Sequence, residues 1–185
     1  HLLGGPVHRP TPILRYLRGD RPQKAWPRRR EDPAYTPYLE AGPEPDSVWI
    51  HGGAVVDSRA LLTAMRRWLE ARGALSAAWV DPRELIETAT GVAWAGECFE
   101  RVVFCDGAAL RGNSWFPGAP LRPVKGQVLE GRATGLPAQP VHRGRTLVPL
   151  GSDRFRLGAT YDHDVVDCRP TAAGREALES GLADL

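Results

Sequence analysis

The stretch Arg154 to Tyr161 constrains the fold most, because side chains of two kinds alternate along it with a period of two. Its odd-numbered positions are apolar or aromatic, and its even-numbered positions are arginine, glycine or threonine. A strand with this pattern has one covered face and one open face. Gly151-Ser152-Asp153 is typical of a turn, and Thr146 to Leu150 before it is another strand candidate. The pattern therefore predicts an antiparallel hairpin with one covered side.

A different kind of strand is predicted at Arg101-Val102-Val103-Phe104-Cys105, where apolar residues follow one another without alternation. Such a run suits a strand covered on both faces, as in a parallel sheet. Asp106-Gly107 closes the run, and a turn at Gly107 would place the next backbone at the carboxyl edge of that sheet, where α/β folds bind ligands. Further strands are expected at 13–17, 74–80, 84–90, 91–94 and 124–129.

A helix is predicted from Asp57 or Ser58 to Gly73. Either of the first two side chains can accept a hydrogen bond from an unpaired backbone N–H at the helix start. Apolar residues then recur at i, i+1, i+4, i+7 and i+8, which places them on one face. Gly73 suits the left-handed conformation that ends many helices.

The two ends of the chain differ in character. Thr171 is expected to cap a final helix that carries Leu178, Leu182 and Leu185 on one face. Residues 1–47 are rich in proline, so extended connections and short turns are expected there apart from the strand at 13–17. Within this segment the basic run 28–30 is interpreted as a solvated loop.

Composition excludes several classes of protein. With 185 residues, of which 42% are hydrophobic, the chain can build a real core and is not disordered. A formal net charge of +2 provides no general attraction for nucleic acid. Cys98, Cys105 and Cys168 form no C-x-x-C pair, which favours free thiols in a reducing cytoplasm over disulfides or structural zinc. Every apolar stretch is shorter than the roughly 20 residues that cross a bilayer.

Motifs that would identify a catalytic or phosphate-binding site by themselves are absent from the sequence. It contains no G-x-G-x-x-G, no phosphate-binding P-loop, no H-E-x-x-H and no G-x-S-x-G. Asp162-His163-Asp164 follows a strand end and is interpreted as a solvated loop, because alternate residues of an extended segment point to opposite faces. No metal site is therefore predicted. His51 and His142 are isolated, and a structural role is assigned to each.

An ordered set of phrases between residues 50 and 185 carries the functional information. In sequence order they read GGxxxD at 52–57, RVVFCDGA at 101–108, PVKGQ at 123–127, LVP at 147–149 and LGATY at 157–161. In this order and spacing the chain resembles the D-amino-acid oxidase-like superfamily of FAD-dependent flavoproteins, nearest to glycine oxidase and sarcosine oxidase. Residues 1–50 are similar to the family only loosely.

The resemblance implies a mixed α/β fold, with part of a Rossmann-like FAD lobe and an antiparallel-rich substrate-lobe sheet flanked by helices. Residues 51–115 would form the middle of the FAD lobe, and residues 116–185 the hairpin sheet and C-terminal helix of the substrate lobe. Residues 1–50 would be a loosely structured substrate-lobe segment. The family's N-terminal phosphate loop, its late carboxylate-binding arginine and its C-terminal flavin loop have no match here, so an internal fragment is expected.

The resemblance also implies roles for four residues. Thr146 stands where glycine oxidase-like members often have an active-site tyrosine, and Tyr161 occupies a position that can face the substrate cavity. Val80 would contact the adenine end of FAD through its backbone, and the backbone of Gly107 would approach the cofactor. The threonine departs from the family pattern, which leaves amino-acid specificity open.

The function implied is oxidation of an amino acid or secondary amine by hydride transfer to FAD, in a cytoplasmic enzyme with a small-molecule substrate. The fragment alone is expected to be inactive, because the helix N-terminus that would bind the FAD pyrophosphate is absent. Two alternatives are a non-catalytic binding domain or degenerate relative of this fold, and a flavoprotein that modifies tRNA wobble uridine. The weak net charge disfavours the tRNA alternative.

Overall fold

The architecture is that of a mixed α/β protein, described by a computed structural model for residues 7–17, 20–163, 165 and 167–183. The strands are β1 (His8–Pro10), β2 (Ile13–Tyr16), β3 (Leu39–Ala41), β4 (Ser47–Ile50), β5 (Ala54–Val56), β6 (Ile86–Thr88), β7 (Gly91–Trp94), β8 (Glu97–Phe99), β9 (Val128–Arg132), β10 (Val141–Arg143), β11 (Arg145–Gly151) and β12 (Arg154–Gly158). The α-helices are α1 (Asp20–Glu31), α2 (Ser58–Glu70) and α3 (Ala172–Ala183). Short 3₁₀ turns occupy Thr36–Tyr38, Pro82–Glu84 and Gly107–Gly112.

A seven-stranded sheet in the order β3-β4-β2-β10-β11-β12-β9 organises the molecule. Strands β2 and β10 run parallel, and every other neighbouring pair in this sheet is antiparallel. The sheet therefore joins strands from the first 50 residues to strands from the C-terminal third. It confirms the mixed, antiparallel-rich fold that the sequence predicts.

The predicted hairpin lies in this sheet as β11 and β12. Its turn residues Gly151, Ser152 and Asp153 all have positive φ, as tight hairpin turns require. Leu157 has no solvent-exposed surface, and it packs with Phe155 and with Leu178 of helix α3. Helix α3 thus covers one face of the hairpin. Strand β12 ends at Gly158, three residues earlier than predicted, and the strand predicted at 124–129 begins only at Val128.

A second core lies where α1 packs on the other half of the sheet. Trp26, Leu17 and Val48 are buried together there. Helix α1 contradicts the prediction of extended connections for this segment, and the basic run 28–30 belongs to its last turn instead of to a loop. Pro27 lies inside the helix at the cost of a backbone hydrogen bond. Burial of the large Trp26 side chain offsets that cost.

Helix α2 confirms the predicted capping. The Asp57 carboxylate accepts a hydrogen bond from the Ala60 N–H at 2.9 Å, and Gly73 has φ +61° just beyond the helix end. Its apolar stripe is open, however, and Leu62 is 70% exposed. Strands β6, β7 and β8 follow in a separate antiparallel meander, of which the first two strands were predicted.

Two predicted strands are wrong. Residues 74–80 have no regular secondary structure, and neither does the run 101–105. Val103, expected to be buried on both sides, is 82% exposed. A parallel strand needs hydrogen-bonded neighbours, and no strand of the described chain pairs with this run.

Other sequence expectations have mixed outcomes. Thr171 caps helix α3 as predicted, since its hydroxyl accepts a hydrogen bond from the Gly174 N–H at 3.1 Å, while Leu185 lies outside the described residues. All three cysteines are unpaired and exposed. Among the described residues no helix combines the length and the apolar character that a membrane crossing needs.

Candidate functional site

Thr146 lies in β11, an interior strand of the large sheet, between β10 and β12. It stands opposite His142 of β10 and opposite Gly158 of β12. Its hydroxyl makes a 2.9 Å hydrogen bond with Nδ1 of His142. Since side chains alternate along a strand, this pair lies on the sheet face opposite to the one that α3 covers at Leu157.

Tyr161 follows the same strand pair beyond its last ladder residue. The backbone of Thr160 pairs with Gln127, and Asp162 pairs with Lys125, so the chain around Tyr161 is held beside the start of β9. Tyr161 is 74% exposed. It is therefore available for contact with a ligand.

Val80 and Gly107 lie outside the sheet. Val80 belongs to the irregular segment after α2, and its side chain is partly exposed. Gly107 opens a 3₁₀ turn with φ +56°, and a methyl group built on it would meet no atom within 4 Å. The described hydrogen bonds and strand pairs do not connect either residue to Thr146 or Tyr161. Their contacts with a cofactor remain predictions.

A cleft of about 540 Å³ lies between the 3₁₀ turn after Gly107, the start of β9 and the start of α3. Ala108, Lys125, Gln127, Asp167 and Cys168 are among its lining residues. The Lys125 side chain is only 5% exposed, and its Nζ donates a 2.6 Å hydrogen bond to Asp167. This bond, together with the backbone N–H of Arg169, lowers the pKa of Asp167, so the carboxylate stays ionised and neutralises the buried ammonium.

Gln127, the last residue of the PVKGQ phrase, contacts the start of α3 through its side chain. Its side-chain oxygen accepts a 2.8 Å hydrogen bond from the Thr171 N–H, and its amide nitrogen donates at 3.0 Å to the Thr171 hydroxyl. A Cβ atom on Gly174 would approach within 2.3 Å of that amide nitrogen. The phrase therefore joins β9 to the first turn of α3.

Arg15 is the residue that the sequence analysis missed. Strand β2 pairs in parallel with β10, which places Arg15 directly opposite His142. Burial, and then the charge of Arg15, lowers the pKa of His142 below its ordinary value of 6.5. The Arg15 guanidinium lies 5.6 Å from the centre of the Trp26 ring. Nothing in the local sequence pairs Arg15 with His142, because the two strands are distant in the chain.

His142 was assigned a structural role on the ground that it is isolated. It is not isolated, since the fold places it between Thr146 and Arg15 on the sheet face opposite to α3, and its role stays a prediction. A usable signal was its position four residues before Thr146, which is the spacing of opposite residues across a short hairpin.

The described residues do not fit the diphosphate of FAD. A helix that holds a pyrophosphate offers free backbone N–H groups at its start. The first turn of α2 is occupied by the Asp57 carboxylate, which would repel an anion. The first turn of α3 is occupied by Thr171 and Gln127. Where helix starts are fully described, no cradle for this part of the cofactor is therefore present.

The described residues also form no metal cluster of three or more His, Cys, Asp or Glu side chains. Of the Asp162-His163-Asp164 phrase, Asp164 lies outside the described residues.

The fold is similar to that of several solved oxidases. Glycine oxidase from Geobacillus kaustophilus superposes with a TM-score of 0.73 at 21% identity, over 97% of this chain and 55% of that chain. Glycine oxidase from Bacillus cereus gives 0.69 at 17% identity, over 96% and 57%. Iminodiacetate oxidase from a Chelativorans species gives 0.64 at 20% identity, over 96% and 56%. The chain thus spans a little over half the length of these solved structures.

The family follows from the sequence itself. The profile of the family described as FAD dependent oxidoreductase, abbreviated DAO, matches residues 10–185. The protein belongs to this family. FAD is the cofactor of the family, as the resemblance of the sequence phrases implied.

Proposed function

We propose that this chain is the substrate-facing part of an FAD-dependent oxidoreductase that oxidises an amino acid or a secondary amine by hydride transfer to the flavin. The observation that carries the proposal is the family match over residues 10–185. The solved structures of similar fold include oxidases named for glycine and for iminodiacetate, which are small amines bearing carboxylates. When bound, FAD supplies the redox chemistry, and the protein aligns the substrate.

The large sheet supports the role of substrate platform. Thr146 and Tyr161 are assigned to the substrate side, because both belong to the hairpin region and Tyr161 is open to solvent. Val80 and Gly107 are assigned to the cofactor side, within a flavin-lobe segment at 51–115. Residues 1–50 and 116–185 contribute strands to one sheet, which is consistent with a shared substrate lobe.

The test of this function uses the product of the complete gene. The expected result is a yellow protein whose flavin absorbance is bleached anaerobically by at least one member of a panel containing glycine, sarcosine, iminodiacetate and proline. A colourless protein after gentle purification contradicts the proposal and supports a non-catalytic relative. A yellow protein that no amine bleaches contradicts amine oxidation specifically.

A pair of variants tests the placement of Thr146. Thr146→Val keeps the side-chain shape but loses the hydrogen bond to His142. We expect the rate of bleaching to fall by about tenfold, the effect of one misaligned hydrogen bond. Thr63→Val, on the exposed surface of α2, is the matched control and leaves the rate unchanged. Equal rates for both variants would remove Thr146 from the substrate side.

A further inference from the structure

Three cationic or basic side chains lie on the face of the large sheet on which α1 packs. Arg15 and His142 are opposite residues of the parallel pair β2–β10, so their side chains leave the sheet on the same side. Arg29 of α1 lies near Arg15, since its guanidinium lies 5.2 Å from the centre of the Trp26 ring and that of Arg15 lies 5.6 Å from it. Thr146 adjoins the group through its hydrogen bond to His142.

Among the described residues, no carboxylate is paired with Arg15 or Arg29. Arg15 Nε is buried and has no hydrogen-bond partner. Burial, and then the charge of Arg29, lowers the pKa of Arg15. Two guanidinium groups that share one indole repel each other, and a buried N–H without a partner is unfavourable.

An anion would relieve both costs. A carboxylate accepts paired hydrogen bonds from a guanidinium, and the planar Arg15 group is suited to that geometry. When the Thr146 hydroxyl donates to Nδ1 of His142, the ring proton lies on Nε2 and is free to donate to the same carboxylate. Arg15 and His142 can therefore both donate hydrogen bonds to one carboxylate, and Arg29 adds a second positive charge nearby.

We propose that Arg15, Arg29 and His142 form a specificity site for a second carboxylate on the substrate, distal to the one next to the oxidised carbon. This inference rests on the proposed function, which assigns Thr146 to the substrate side. The resemblance to the family assigns one substrate carboxylate to a late arginine that is neither Arg15 nor Arg29. Arg15, Arg29 and His142 would then bind an additional carboxylate. The substrate is accordingly a dicarboxylic amine or an acidic amino acid.

The test compares two secondary amines that differ by one carboxylate, sarcosine and iminodiacetate. Each is titrated into the 185-residue chain at neutral pH and low salt, and binding is followed through the NMR resonances of the His142 ring. We expect iminodiacetate to bind at least about tenfold more tightly than sarcosine, since a hydrogen-bonded charge pair contributes a factor of about 10 to 100. Equal affinities, or a titration in which neither ligand moves the His142 resonances, would overturn the proposal.

Variants locate the second carboxylate. Arg15→Gln and Arg29→Gln each remove one charge, and each is expected to reduce the preference for iminodiacetate by about tenfold. Arg29 also lies over Trp26 but is exposed, so its variant keeps the proposal testable if loss of the partly buried Arg15 disturbs the fold. Arg143→Gln is the matched control, because Arg143 is next to His142 on the same strand but faces the other side, over the ring of Tyr16. A preference that survives both Arg15→Gln and Arg29→Gln, or that Arg143→Gln abolishes, contradicts the site.

Failure of this inference and failure of the proposed function are distinguishable. The binding titration needs no flavin and no turnover. A flavoprotein bleached by amines, with no preference for iminodiacetate in the titration, retains the proposed function and loses the site. A chain that prefers iminodiacetate through Arg15, from a gene whose product is colourless, retains the site and loses the function.

Discussion

At the scale of single residues, Gln127 shows how one side chain joins two elements. Its amide makes two hydrogen bonds to Thr171, the residue that also caps α3. The amide fits because Gly174 leaves room for it. Lys125, two residues earlier, makes the buried ion pair with Asp167. A phrase that reads as a family signature is thus a set of anchoring contacts at the edge of the cleft.

The contact between Gly174 and the Gln127 amide can be tested through the stability of a variant. Gly174→Ala gains about 1 kcal/mol of helix propensity. Its Cβ would collide with the fixed Gln127 amide, and overpacking of this kind costs about 1–3 kcal/mol, with about 1 kcal/mol more for each lost hydrogen bond. We expect a net loss of about 1–3 kcal/mol in the free energy of urea unfolding.

The control for Gly174→Ala is Gly112→Ala, whose added methyl group meets no atom within 4 Å. Its unfolding free energy should stay within about 0.5 kcal/mol of the original. If the two variants unfold alike, Gln127 does not hold α3 in the manner described.

His142 makes stability depend on pH. Its folded-state pKa lies below the ordinary value of 6.5, so the unfolded chain binds more protons between the two values. The contribution of His142 is present above pH 6.5 and is lost as the pH falls from there through the folded pKa. Urea midpoints at several pH values should therefore fall less steeply in this window for His142→Gln than for the original chain. Parallel pH profiles would contradict the burial of the neutral ring.

At the scale of elements, two apolar segments that look equally suited to a core have opposite outcomes. Strand β12 is covered because its partners β9 and β11 flank it and α3 packs on its apolar face. The run 101–105 is more apolar than β12 but has no strand partner in the described chain. An apolar sequence allows a segment to be buried, but whether the segment is buried depends on whether it pairs with neighbouring strands.

Two substitutions by alanine test this difference in burial between β12 and the run 101–105. Leu157→Ala should destabilise the chain by about 2–5 kcal/mol, because it empties space in a fully buried position. Val103→Ala should change stability by no more than about 0.5 kcal/mol, since that side chain is 82% exposed. Urea unfolding of both variants provides the measurement. A comparable loss at Val103 would indicate that the run is buried in solution.

At the scale of the whole molecule, packing is uneven along the chain. The seven-stranded sheet has a helix-covered core in each half, with Leu157 in one and Val48 in the other. The segment from α2 to the 3₁₀ turn at Gly107–Gly112 has a short meander and several exposed apolar side chains, including Trp79 and Val103. Cooperative stability should therefore reside in the sheet.

Amide hydrogen exchange tests that distribution. Amides of β11 and β12 should be protected by about a thousandfold or more, as expected for groups that exchange through global unfolding. Amides of residues 101–105 should exchange nearly as fast as those of an unstructured peptide, since they belong to no ladder. Uniform protection across both regions would show that the second region packs more tightly than described.

The sequence by itself determined the parts of this protein that depend on near neighbours. The period of two in the hairpin, the Asp57 cap, the left-handed Gly73 and the Thr171 cap each require contacts within a few residues, and each was predicted. Thr146 was proposed from the sequence through its position in an ordered family phrase, and its role stays a prediction. Helix α1 was missed because its prolines outweigh its local helical signals until Trp26 is buried.

Only the tertiary structure decided which distant residues meet. The parallel pairing of β2 with β10 sets Arg15 beside His142, and no local pattern encodes a register between strands so far apart in the chain. The same is true of Lys125 with Asp167, and of the missing partner for the run 101–105. Periodicity and capping are short-range, whereas strand pairing and charge placement depend on the free energy of the whole assembled sheet.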